Sequence, residues 1–286
     1  MPDLDALWDF DDAAASGARF RAAIDAAEAD GDADAADAAR TQLARSLGLQ
    51  ARFEDGDVIL DMVDVAHPDG DRVRIRSRLE RGRLRRSSGD TASAVAPLEE
   101  AWALARSLGE DGLAVDAAHM LALVDAAPGV VSWNERALDL ATTSPAPAAR
   151  RWRGSLWNNI GWERFETGDL DGALAAFETA LEARREQGKP KDTHVAEWCV
   201  ARCLRALGRP GEALAILERL AASAAADGTE EDGYVSEEAG ECLLVLGRAD
   251  EARPQFRRAA ELLGADAWLV EHEPVRIARL REFGEG

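Results

Sequence analysis

Five sets of small and apolar residues recur through the chain at one shared spacing. The sets are Gly82, Gly161, Ala201 and Gly240; Gly89, Gly168, Gly208 and Gly247; Ala94, Ala173, Ala213 and Ala252; Leu98, Phe177, Leu217 and Phe256; and Ala101, Ala180, Leu220 and Ala259. In every set the steps are 79, 40 and 39 residues. The first step is about twice the others, so a degenerate unit belongs between Gly89 and Gly168. A fixed period of this length means a stack of like supersecondary units, none of which can bury its apolar face alone.

The order of landmarks within a unit describes a helical hairpin. A small residue on the first helix lets the second approach closely. The glycine seven residues later stops that helix in left-handed geometry, and Asp90 or Asp169 can cap the next one. Pro210 suits a first helical turn, where its missing N–H is not needed. The following alanine and the apolar residue four positions on share one face, which buries against the first helix. Alanine, leucine, arginine and glutamate supply most of the composition and are strong helix formers. The only stretch with strand character, 57–65, reads equally well as a helix with Ile59, Leu60 and Val63 on one face.

The stretch Trp157-Asn158-Asn159-Ile160-Gly161-Trp162, followed by Gly168-Asp169-Leu170, Ala173-Leu174, Phe177 and Ala180-Leu181, closely resembles the tetratricopeptide repeat. Units at 195–220 and 236–260 fit more loosely. The unit at 75–102 fits from Gly82 onward but carries Arg78, Arg81 and Arg85 where aliphatics are usual. The period exceeds the common 34 residues, as in kinesin-light-chain repeats, and the closing proline is missing. The resemblance implies an all-α, right-handed superhelical solenoid of antiparallel hairpins, with about five to six repeats and capping helices, running as one domain over 1–286.

Within it, 1–32 reads as an N-terminal cap with a helix over about 12–29. Residues 33–144 read as degenerate hairpins, one of them over 33–66. Another uses Leu113–Ala126 and Val130–Ala141, joined through Pro128-Gly129. The best-matching hairpins occupy 145–263, and 264–286 forms a capping helix over about 266–283. Thr142–Ala148, with Pro145 and Pro147, is the place for a bend.

In tetratricopeptide proteins the first helices line a concave groove, and four positions of each face it. Carried onto this chain, these are Arg76, Arg83 and Arg86; His119; Ser155, Asn158, Trp162 and Phe165; Val195, Trp198, Arg202 and Arg205; and Tyr234, Glu237, Glu241 and Leu244, with Arg45 a further candidate. Arginine and tryptophan are the side chains that dominate binding hot spots. The charge pattern adds to this. The whole chain carries −20, but residues 72–88 hold eight arginines and one glutamate, whereas residues 1–71 hold 18 acids and five bases. Two readings stay open: the arginines hold an acidic ligand through their forked donors, or they pair with the acid-rich N-terminal region. The clamp by which relatives hold acidic peptide ends is loosely matched by Asn158, Arg202 and Arg205, but Trp162 stands where asparagine is usual.

Other candidates give less. Cys199 and Cys203 lie one turn apart near His194, but no further ligands at metal spacing accompany them. A packing role suits them better. Glu237, Glu238 and Glu241 read as a solvated acidic face. No P-loop, nucleophile elbow or dinucleotide fingerprint is present, so no catalytic residue, cofactor or metal is assigned. The negative charge opposes nucleic-acid and anionic-membrane binding. Three cysteines and no apolar run of spanning length point to a cytoplasmic protein. Its lysine-poor, alanine- and arginine-rich make-up resembles the product of a GC-rich bacterial genome. The expected function is a non-enzymatic interaction module that takes a peptide or helix, acidic in character, from a protein partner. The alternatives are a self-associating structural solenoid, which is a homo-oligomer, and a sensor of an anionic small molecule.

Overall fold

The computed structural model describes residues 4–124, 132–227 and 231–285. Among them every regular element is helical. The helices pack into two compact units, Met1–Leu156 and Trp157–Gly286.

The first unit opens with a single 3-10 turn, Leu4–Leu7, followed by α1 (Ala13–Ala29). Three hairpins come next. They are α2 (Ala33–Leu49) with α3 (Phe53–Ala66), α4 (Arg72–Ser87) with α5 (Thr91–Leu108), and α6 (Asp111–Ala122) with α7 (Trp133–Thr143). A short α8 (Pro147–Arg150) leads into α9 (Arg153–Thr167), which the boundary between the units divides. The second unit holds the rest of α9 with α10 (Leu170–Glu186), α11 (Pro190–Ala206) with α12 (Pro210–Asp227), and α13 (Gly233–Val245) with α14 (Ala249–Leu263). It ends in α15 (Ala267–His272) and α16 (Pro274–Glu285).

The hairpin logic read from the sequence is what the backbone does. Gly168 sits at φ 85°, a left-handed value that suits glycine, and so ends α9. Asp169 then caps α10 by accepting a hydrogen bond from the Gly172 N–H at 3.0 Å. Asp90 caps α5 in the same way through Ser93 N–H, at 3.2 Å. Gly161 faces Phe177 so closely that a Cβ there would lie 2.5 Å from the ring. Phe177 and Phe256 are fully buried on the second helices and anchor the core of unit 2, together with Leu217 and Leu280. In unit 1 the main core joins Ile75 and Leu98 to Leu121 and Leu156, and a second cluster gathers Leu4, Phe20, Leu43 and Val63.

The stretch 57–65 takes the helical of its two readings, inside α3 with Leu60 and Val63 buried. Two boundaries differ from expectation. In the degenerate hairpin α6 ends at Ala122 and α7 begins only at Trp133. A reciprocal capping box sets that start: Ser132 accepts from the Glu135 N–H, and Glu135 accepts from the Ser132 N–H. The Pro128-Gly129 joint lies outside the described residues. The capping helix drawn over 266–283 is two helices, because Pro274 cannot continue a helix through its own position.

Candidate functional site

In unit 1 the first helices α2, α4 and α6 carry the predicted basic positions. Arg83 does not stand free. It donates to Glu80 Oε1 at 2.6 Å and to Asp116 Oδ1. Burial alone would weaken the Arg83 charge, but the two carboxylates outweigh it and raise its pKa above the ordinary value. Burial likewise acts to raise the Asp116 carboxyl, and Arg83 overrides it and holds it below the usual range. His119 sits on α6 with its ring 5.1 Å from that of Trp152. Its pKa is lowered, by burial first and then by the charges of Arg83 and Arg86, against the pull of Asp116.

Most of the other arginines on α4 are spent on acids. Arg81 reaches Asp57, Asp61 and Asp64 on α3 at 2.8–3.0 Å, and Arg78 reaches Asp64 and Glu100. Arg85 pairs with Asp57 at 2.8 Å, while Arg72 pairs with Glu110 and Arg74 with Glu100. Three acids of the N-terminal region, Asp57, Asp61 and Asp64, are therefore folded against the basic helix, and Glu100 and Glu110 from further along the chain take the rest of this pairing.

Arg45, Arg76 and Arg86 differ: none forms an ion pair within 4 Å among the described residues. Arg76 is half-buried, its Nε has no hydrogen-bond partner, and its pKa is lowered by burial and by Arg72. Arg45 is lowered by burial and by Arg83. Its guanidinium lies over aromatic faces instead, 5.2 Å from the Trp8 ring centre and 5.3 Å from that of Phe10. Arg45, Arg83, Arg86 and Met120 line a hollow of about 190 Å³.

In unit 2 the predicted positions come together as a diagonal of rings. Trp162 on α9, Trp198 on α11 and Tyr234 on α13 sit on successive first helices, each about one turn further back from the glycine that follows its helix (Gly168, Gly208 and Gly247) than the last. Ring centres are 6.2 Å apart from Trp162 to Trp198, and 6.2 Å again from Trp198 to Tyr234. The Trp198 indole donates to the Tyr234 carbonyl at 3.1 Å, which fixes its plane. Phe165 and Phe177 pack edge-on against Trp162 at 5.3 and 5.1 Å. Tyr234 is exposed, and Trp162 and Trp198 are half-exposed. Arg276 lies over the Tyr234 ring at 5.0 Å, and Arg202 over Phe165 at 5.8 Å.

The charged positions in unit 2 are matched internally. Arg202 reaches Glu238 at 2.9 Å, and Arg205 grips the same carboxylate through two nitrogens. Arg276 pairs with Glu237, and Arg279 with Glu241 at 2.5 Å. The acidic trio is thus not a solvated face. Glu238 is only 2% exposed, and each of the three carboxylates holds an arginine, because α16 brings two cations the repeat pattern does not contain.

Asn158 accepts a hydrogen bond from the Cys199 thiol at 3.4 Å. Cys199, Cys203 and Cys242 are buried free thiols, and burial pushes Cys199 up to about 12, away from any thiolate role. Among the described residues no group of three or more His, Cys, Asp or Glu is placed to hold a metal. None of their helices is long and apolar enough to cross a membrane.

Several residues to which the repeat period does not point matter here. Trp8 donates its indole N–H to Gln42 at 3.1 Å, and Asp5 accepts from Arg151 at 2.9 Å. His67 lies between two carboxylates, Asp37 at 3.0 Å and Asp71 at 2.5 Å. These contacts depend on chain segments 34, 146 and 30 residues apart meeting in the fold, which no periodic signature reports.

Comparison with known proteins agrees with this architecture. A tetratricopeptide repeat family model matches residues 164–230. A tetratricopeptide repeat protein from Parabacteroides merdae shares the fold over 99% of this chain and 97% of its own, with a TM-score of 0.54 and 15% identity. BtubC (BKLC) from P. vanneervenii aligns with 81% of this chain and 95% of its own, with a TM-score of 0.59 and 16% identity. No curated protein sequence matches the chain. Residues 164–230 are tetratricopeptide repeat, and the chain around them has the all-helical hairpin fold of tetratricopeptide repeat proteins.

Proposed function

We propose that the protein is a non-enzymatic interaction module which seats an apolar-anchored segment of a partner protein on the first-helix face of unit 2. Tetratricopeptide folds generally mediate protein–protein interaction. The single observation that carries the reading is the diagonal of Trp162, Trp198 and Tyr234. Three large rings on three consecutive first helices, held by an indole hydrogen bond and left partly open to solvent, are costly to expose unless something covers them. A helix or extended peptide laid along the diagonal would bury aromatic area with little further loss of side-chain freedom, since the rings are already fixed. Arg202, Arg205 and Glu241 form the polar edge of this face. With their charges matched inside the chain, they orient a ligand through their remaining donors and acceptors rather than through net charge. The acidic character expected of the partner belongs to unit 1, where Arg76 and Arg86 have no ion-pair partner among the described residues and Arg83 and His119 lie alongside.

The test is capture of binding partners from the native cell lysate by the wild type, by Trp198→Ala and by Tyr234→Ala. All three must show the same helical circular dichroism. Removing an anchoring ring should cost about 2 kcal/mol or more of binding, roughly a 30-fold loss, so specific proteins should disappear from both variants. Identical protein profiles from all three chains would sink the reading. Arg202 and Arg205 are poor sites for this test, because replacing both would strand the buried Glu238 carboxylate and unfold the hairpin.

A further inference from the structure

The first-helix face of unit 1 is already occupied in part. Residues 4–10, Leu-Asp-Ala-Leu-Trp-Asp-Phe, lie against α1 and α2 at one end of it and reach Arg151. Leu4 is buried in the cluster shared by α1 and α2. Trp8 hydrogen-bonds Gln42 on α2, packs edge-on against Phe20 at 4.9 Å and stacks flat on Phe10 at 4.9 Å. Arg45 covers the rings of Trp8 and Phe10. Arg19 donates to the Leu7 carbonyl at 2.9 Å. Asp5 reaches Arg151, just before α9, at 2.9 Å, and its charge also acts on Arg45 and Arg76.

Several details are those of a bound peptide rather than of core chain. The segment has only one turn of regular structure. It sets a buried aliphatic, an exposed acid and a half-buried aromatic side by side. The charge of Asp5 acts on Arg45 and Arg76, which form no ion pair among the described residues, while the rings of the segment take the Arg45 guanidinium. Its polar link to the far end of the unit, Asp5 with Arg151, is exposed on both sides and therefore worth less than about 1 kcal/mol. A segment that matches its seat chemically and is held at one end by a weak pair can be displaced by a better-matched one.

We propose that residues 4–10 are a tethered ligand of this face, and that the partner it takes is an acidic segment with aliphatic and aromatic side chains, which competes with them. This rests on the reading of the protein as a peptide-binding module, but it concerns unit 1 and not the ring diagonal of unit 2. Glu80 and Asp116 face the same surface, and Arg83 pairs with both but balances only one of their two charges, which the further arginines outnumber. The net attraction for an acid therefore comes from Arg45, Arg76 and Arg151, with Arg86 at the edge. Tethering makes the internal segment a strong competitor, because its effective concentration far exceeds that of a free ligand. A partner gains access only when it binds more tightly or when the segment is loosened.

The probe is a fluorescein-labelled peptide of residues 4–12, titrated by anisotropy against full-length chains. Asp5→Lys/Trp8→Ala loosens the segment and should bind the peptide at least tenfold more tightly than the wild type. Adding Arg45→Ala to that chain should return binding to the wild-type level, and a peptide with Asp5→Asn and Asp9→Asn should bind several-fold more weakly. If the double variant loses helicity, Asp5→Lys alone, at an exposed site, should still raise affinity about threefold. Equal binding by wild type and loosened chain overturns the proposal, as does no binding by either. A wild-type dimer that dissociates in the loosened chain also overturns it, by assigning the segment to a second copy. None of these outcomes touches capture through Trp198, so the two readings fail separately.

Discussion

His67 shows how one side chain can couple three segments. It caps the end of α3, its Nε2 meets Asp37 on α2, and its Nδ1 meets Asp71, which itself caps α4 by accepting from the Arg74 N–H. Both ring nitrogens face carboxylates, so the doubly protonated form is the one that satisfies both. Burial works against that charge, but the hydrogen bonds and charges of Asp71 and Asp37 win and hold the His67 pKa above its ordinary 6.5. The Asp71 pKa is correspondingly lowered: burial raises it, and bonds to Arg74 and His67 more than reverse that. The His67 contribution is therefore complete below 6.5 and fades as pH rises through its elevated folded value. The Asp71 contribution is complete above 3.8 and fades as pH falls. Relative to His67→Gln, the wild type should be more stable by about 2 kcal/mol at about pH 6, and the gap should close toward about pH 9. Chemical denaturation of both proteins at the two pH values checks this; a gap that does not change with pH removes the charged imidazole from the account.

At the scale of the helix pair, close approach decides the fold. Gly161 and Gly240 each face a phenylalanine that fills the groove between first and second helix. Gly161→Ala would put a methyl 2.5 Å from the Phe177 ring, so either the ring turns off its rotamer or α9 and α10 separate. We expect a loss of about 1–3 kcal/mol, with partial recovery when Phe177→Leu is added. Thermal melts of the single and double variants measure both effects, and simple additivity would remove the contact from the explanation. These pairs were legible because glycine, alanine and phenylalanine recur at fixed offsets, and the offset is itself the physical requirement. The break before Pro274 could have been read from the same rules, since a proline there ends whatever helix precedes it. The partners of the arginines could not. Periodicity says which face Arg202 and Arg205 occupy, but not that Glu238 turns inward beneath them, nor that α16 delivers Arg276 and Arg279 to Glu237 and Glu241.

For the molecule as a whole, charge works at two ranges. The net charge of −20 is a long-range repulsion that favours expansion, whereas the pairs on α3 and α4 act at about 3 Å. Raising ionic strength from about 0.01 to about 0.15 M shortens the screening length from about 30 to about 8 Å. That removes most of the repulsion and leaves contact pairs nearly intact, so the melting temperature should rise with salt over this range. A fall would mean that the ion pairs outweigh the net charge.

The link between Asp5 and Arg151 has a consequence in time. Most helix pairings join neighbours in the chain, but this one spans 146 residues. A ribosome adds about 5–20 residues per second, so Asp5 is made roughly 7–30 s before Arg151 exists. During that interval Gln42 and Arg45 have already been made and the acidic segment can dock at one end only. The segment therefore seats first through Leu4 and Trp8 on α1 and α2, and the weak pair with Arg151 is the last of its contacts to form.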